Sequence, residues 1–97
     1  MATASEVLLQ IKVSEKSGVK AYGFAYAGRA VVMNLGKGNF KATRNQQELL
    51  EWVMLGDPGG TMKVEILRDG NAIYTRAKSK IVPPYSEGID AFQILVS

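Results

Sequence analysis

Residues Thr61 to Ile81 constrain the fold more than any other stretch of this chain, because they specify a hairpin together with its register. Met62-Lys63-Val64-Glu65-Ile66-Leu67-Arg68 and Asn71-Ala72-Ile73-Tyr74-Thr75-Arg76-Ala77-Lys78-Ser79-Lys80-Ile81 alternate with period two on either side of Asp69-Gly70. A two-residue type I′ turn needs positive φ at both central positions. Asp tolerates that conformation and Gly adopts it freely, and the twist of the turn matches that of the strands. Pairing Arg68 with Asn71 then predicts Ile66 opposite Ile73, Val64 opposite Thr75 and Met62 opposite Ala77 on an apolar face. Leu67, Glu65 and Lys63 share the other face with Ala72, Tyr74 and Arg76. At the same parity the second strand adds Lys78 and Lys80. Tyr74, Arg76, Lys78 and Lys80 thus form an expected basic stripe headed by an aromatic ring.

The 97 residues are read as one domain, with a core that needs neither disulfide nor metal and with Met1 to Ser5 as a flexible end. Cys and His are both missing, which removes thiolate nucleophiles, Ser-His-Asp triads and zinc-finger sites. No apolar run approaches the roughly 18 residues of a membrane span, and no basic segment followed by an apolar one opens the chain. A soluble, cytoplasmic protein is expected. The net charge of +3 is mild but uneven: from Lys16 to Arg44 there are six cations and no acid. Such a surplus either steers a chain toward acidic partners or belongs to a solvated sheet face.

Glu6 to Val13 alternates, with Val7, Leu9, Ile11 and Val13 on one side and Leu8, Gln10 and Lys12 on the other. After the polar break Ser14-Gly18, Val19 to Ala27 alternates again. It sets Tyr22, Phe24 and Tyr26 against a thin face of Ala21, Ala25 and Ala27, so the aromatics are expected in the core. Arg29 to Leu35 reads as a short apolar strand and Gly36-Lys37-Gly38-Asn39 as a turn. Gln46 to Leu55 admits two readings. Asn45 and Glu48 resemble a capping box and Gly56 a helix stop, which predicts a short helix. The regular spacing of strands elsewhere predicts a further strand. Beyond the hairpin, Val82 to Gly88 is a stiff proline loop, and Asp90 to Ser97 closes the chain as a strand with Phe92, Ile94 and Val96 inward.

The fold expected is mainly β, with six to seven antiparallel strands in a sandwich-like arrangement and residues 46–55 as a short helix or an additional strand. In length and strand count the layout is loosely immunoglobulin-like, an analogy of architecture that no motif carries. The glycines around Lys37 lack the spacing of a phosphate loop, and the acid at Asp57 has no oxygen partners nearby. Glu48 and Glu51 would neighbour each other on a helix, as solvated faces often arrange, and Trp52 sits among apolar residues as a core anchor. No catalytic, cofactor or metal constellation emerges. The chain is therefore expected to be a non-enzymatic module that binds another protein or assembles with its own copies. The alternative is a small basic nucleic-acid-binding domain whose face combines Lys63, Tyr74, Arg76, Lys78 and Lys80 with Lys37, Lys41 and Arg44. Cations about 7 Å apart on alternate strand positions match phosphate spacing, and a tyrosine can stack on a base. Against that stands a plainer role for the lysines, protecting an exposed sheet edge from aggregation.

Overall fold

The computed structural model describes residues 5–97. Of the expected loose end only Ser5 falls within them, and its carbonyl accepts the backbone N–H of Arg44 at 2.6 Å. All regular elements among the described residues are strands: β1 (Glu6–Tyr26), β2 (Arg29–Val31), β3 (Lys37–Thr43), β4 (Glu48–Arg68), β5 (Asn71–Lys80) and β6 (Glu87–Ile94). They make one antiparallel six-stranded sheet, which bears out the mainly β reading. No helix among them is long and apolar enough to cross a membrane.

β1 and β4, each 21 residues long, pair from Gln10↔Leu67 to Tyr26↔Leu50. β3 adds to the first part of β1 and β5 to the second part of β4. β2 adds to the last residues of β1 and β6 to the first part of β4. The sheet thus has a first half, ordered β3-β1-β4-β5, and a second half, ordered β2-β1-β4-β6. Between them the β1–β4 register shifts three times, from Ser14 to Ala21. Bulges of this kind bend a strand sharply.

The bend folds the sheet over on itself. Tyr74 is opposite Ile66 and Phe92 is opposite Leu50, so on a straight β4 the two rings would stand roughly 50 Å apart at the usual strand rise. Their centroids are 5.6 Å apart. Likewise Phe40, opposite Leu9, lies 4.5 Å from the ring of Tyr26 at the far end of the same strand. The core fills the space between the halves: Val7, Leu9, Ile11, Met62, Val64 and Ile66 from the first, and Phe24, Tyr26, Leu50, Trp52, Met54, Phe92 and Ile94 from the second. Tight backbone approach makes the bend possible. A Cβ on Gly56 would stand 2.1 Å from the carbonyl oxygen of Gly18, so only glycine fits there. Pro58 lies in the unpaired interval between Gly56 and Thr61, where no ladder donor is required.

Of the two readings of residues 46–55 the strand is the one that forms, and three other local expectations are corrected. Residues 46–55 contain no helix: Leu50, Trp52 and Met54 are buried while Leu49, Glu51, Val53 and Leu55 are exposed, the period of a strand. From Leu50 to Leu55 the run has partner strands on both sides, β1 and β6, and that tertiary gain overrides the local helix preference. The apolar stretch after Gly28 is a strand only over Arg29–Val31, and the turn falls at Leu35-Gly36, both with positive φ, rather than at Gly36 to Asn39. The polar break Ser14 to Gly18 does not end β1 but bulges within it. Ala27-Gly28 and Asp69-Gly70 are further two-residue turns with both residues at positive φ.

Candidate functional site

The Asp69-Gly70 turn and the pair Arg68↔Asn71 form as the sequence predicts, but the register then slips. After Leu67↔Ala72 the next pair is Ile66↔Tyr74, so Ile73 is an extra residue in β5. Val64 therefore faces Arg76, and Met62 faces Ser79 after a second shift, in place of Thr75 and Ala77. A one-residue slip exchanges the two faces of a strand. Tyr74 and Arg76 consequently turn toward β6 on the other half of the sheet, and the expected stripe is split.

Both side chains serve the edge of β6. The Tyr74 hydroxyl donates to the carbonyl of Leu95 at 3.1 Å and accepts its N–H at 2.9 Å. Arg76 Nη2 donates to the carbonyl of Ala91 at 2.9 Å, and its guanidinium lies 4.9 Å from the centroid of Phe92. Edge backbone groups that lack a neighbouring strand are satisfied in this way by side chains from the facing layer. A polar chain continues inward from Arg76. Its Nε is 3.1 Å from Asp90 Oδ2, an ion pair without the alignment of a hydrogen bond. The same oxygen accepts the hydroxyl of Ser79 at 2.8 Å, and Ser79 Oγ in turn accepts the indole N–H of Trp52 at 2.9 Å. Ser79 is the one fully buried polar side chain in the described core. This cluster locks β5 to β6, and beside it the ring of Tyr74 packs on Phe92, with centroids 5.6 Å apart.

The remaining cations of the expected face are scattered. Lys78 and Lys80 are exposed on β5, whose outer edge pairs with no strand among the described residues. Lys63 is half-buried, 3.6 Å from Glu15 and 4.0 Å from Glu65. Arg44 donates to the carbonyl of Ser97 at 2.8 Å, beside the same bond from Arg68 at 3.0 Å. Lys37 and Lys41 do share a surface with Lys63, the outer face of the first half-sheet. They are joined there by Lys12, which is paired with both Lys37 and Glu65. Two lysines directly opposite each other repel, and Lys12, Lys37 and Lys41 have no ion-pair partner. Lys12 was legible as outward by parity, but its neighbours lie on strands far away in sequence.

The outer face of the second half-sheet has the opposite character. Gly23, Val53 and Ile89 form one cross-strand row, flanked by the rows Ala25-Glu51-Ala91 and Ala21-Leu55-Glu87. Ile89 is 79% exposed, Leu55 45% and Val53 38%. A Cβ on Gly23 would meet nothing within 4 Å, so this glycine floors a shallow hollow of about 360 Å³ rimmed by Ala25, Glu51, Val53 and Ile89. Beside it the loop after β5 exposes Val82 and Tyr85 around an open groove of about 660 Å³ that ends at Glu87 and Ile89. The rows of this face carry the acids Glu51 and Glu87, and Lys80 lines the groove beside them. Among the described residues no group of three or more His, Cys, Asp or Glu side chains is placed to hold a metal ion.

Comparison with protein-family models, with curated proteins and with solved structures returned no match. The functional reading therefore rests on these two faces.

Proposed function

We propose that this chain is a protein-interaction module that docks through the outer face of its second half-sheet. The observation that carries this is the row Gly23-Val53-Ile89 with Leu55 beside it: a contiguous apolar surface on the solvent side of a sheet whose other side already holds the core. Scattered exposed apolar residues are ordinary, but a contiguous patch with a charged rim marks an interaction site. The hollow over Gly23 offers an incoming apolar side chain a place to seat.

The reading is tested with a photo-crosslinking side chain at position 89 and a control at position 69, on the hairpin tip. Adducts from position 89 to one defined segment of a protein, lost on Val53→Asp, are the expected result. No protein adduct from position 89, or equal yield from both positions, would refute it. A second reading, backbone-type binding of nucleic acid, is supported by Lys12, Lys37 and Lys41 sharing one face, with no ion pair to any of them among the described residues. It lacks the stacking ring first assigned to it, because Tyr74 is engaged by Leu95.

A further inference from the structure

The two outer faces of the folded sheet point away from each other and are complementary. The first carries Lys12, Lys37 and Lys41, none in an ion pair among the described residues, with exposed Leu8 opposite Lys41; its acids are Glu65, across from Lys12 and beside Lys63, and Glu6 at its end. The second carries Val53, Leu55 and Ile89 with the acids Glu51 and Glu87, and no cation belongs to its rows. Among the described residues Lys37, Lys41, Glu51 and Glu87 form no ion pair, and Lys12 has only Glu65 across from it, which is already 4.0 Å from Lys63. The cross-strand pair Lys12↔Lys37 is offset only from one side, by Glu65, and gains when further acids are laid over it.

On the reading that the apolar face docks protein, we infer that its occupant is a second copy of this chain, presenting its lysine face. Glu51 and Glu87 of one copy answer Lys12, Lys37 and Lys41 of the next. The aliphatic stems of those lysines, with Leu8, cover Val53 and Ile89 while their ammonium groups reach the rim. A two-fold arrangement of apolar face on apolar face would instead bring Glu51 and Glu87 against acids, with Lys80 in the adjoining groove as the one cation nearby among the groove's lining residues. The contact is therefore head-to-tail. Because the donor and acceptor faces lie on opposite sides of one molecule, it propagates into open chains rather than closing as a dimer.

The available area sets the strength. Four strands at the usual spacing and about eight residues of length give on the order of 500 Å² per face. That is below the roughly 800 Å² per partner of a standard stable interface, so the association is weak, reversible and sensitive to salt.

Sedimentation velocity over a concentration series, at low and at high salt, tests this with two charge-reversed variants. The first carries Glu51→Lys and Glu87→Lys; the second carries Lys12→Glu, Lys37→Glu and Lys41→Glu. The native chain is expected to gain mass with concentration at low salt and to lose that gain at high salt. Each variant alone should remain monomeric with a native melting profile, and an equal mixture should again form chains, because each then offers the face the other needs. Three outcomes would overturn the inference: a native chain that is monomeric throughout, association that stops at a dimer, or variants that associate as the native chain does. Salt-sensitive oligonucleotide binding lost in the lysine variant, without native self-association, would overturn it in favour of nucleic acid. Crosslinking from position 89 to a different protein would leave the docking reading standing while removing the second copy as occupant.

Discussion

Ser79→Ala isolates the chain of hydrogen bonds that joins β5 to β6. The substitution removes a single oxygen from a site with 1% exposure, so it opens almost no cavity and the loss is polar. Two partners are affected. The indole N–H of Trp52, on a residue only 2% exposed, is left without an acceptor, at a cost of about 1–3 kcal/mol for a stranded buried donor. Asp90 loses one donor but keeps the N–H of Ala91 at 2.8 Å and the nearby Arg76. With its side chain 24% exposed, water replaces much of the remainder, and about 1 kcal/mol is assigned there. The sum is about 2–4 kcal/mol, a large part of the ~5–15 kcal/mol that holds a domain of this size. It corresponds to a fall in Tm of about 10–25 °C. Chemical denaturation followed by circular dichroism measures the loss, and a double-mutant cycle with Trp52→Phe assigns it. In the Phe background there is no indole N–H to strand, so Ser79→Ala should cost only the Asp90 part. A cost below about 0.5 kcal/mol in the native background, or one unchanged by Trp52→Phe, would refute the network as the link between the layers.

Two other sites give shorter tests. Tyr26 is buried against Phe40 with its hydroxyl unpartnered, and burial, then the charge of Glu48, raises its pKa above the ordinary 10.0. The fold thus favours the neutral phenol: that contribution is complete below about pH 10 and is lost as the pH rises further. Tyr26→Phe should leave stability at neutral pH unchanged or higher by up to about 2 kcal/mol and flatten the alkaline fall, as read by melts from pH 7 to 11; an equally steep fall in the variant would count against the assignment. Gly56→Ala must displace the carbonyl of Gly18 from 2.1 Å, and a loss of about 2–4 kcal/mol in urea unfolding is expected from such overpacking. A neutral result would show that the bend tolerates a wider β1–β4 separation.

What the sequence made legible follows the range of the interactions involved. The Asp69-Gly70 turn, the inward parity of Val7, Leu9 and Ile11, the aromatic core of Phe24 and Tyr26, the burial of Trp52 and the inward set Phe92, Ile94 and Val96 are all local patterns, and all appear in the structure. The extra residue at Ile73 was not legible, because nothing in the run Asn71 to Ile81 breaks its alternation. The bulge lets Tyr74 and Arg76 reach Leu95 and Ala91, 21 and 15 positions away. For the same reason the strand over 48–55 could not be separated from a helix until β1 and β6 supplied its ladders. The lysine face was visible only at Lys12, which parity set opposite Val7, Leu9 and Ile11; Lys37 read as part of a turn, and only the pairing of β1 with β3 sets Lys12, Lys37 and Lys41 side by side. The apolar face was present in the alternation of Val53, Leu55 and Ile89 and needed the folded sheet to show which side remained uncovered.

Because β1 and β4 each run through both layers, neither layer exists as a separable piece of chain, and this bears on how the molecule assembles. The strand pair has a near end, Tyr26↔Leu50, that encloses 24 positions of sequence, and a far end, Gln10↔Leu67, that encloses 57. Closing the larger loop first costs about 0.8 kcal/mol more in chain entropy, so pairing starts at the near end and zips toward the bend. At that stage the second layer stands alone with Leu50, Trp52, Met54 and Phe92 bare on the side that later becomes the core. The crease at Gly18 and Gly56 is then more than a bend in a finished sheet. It is the point at which a half-built molecule, apolar on both surfaces, is committed to closing on itself rather than on its neighbours.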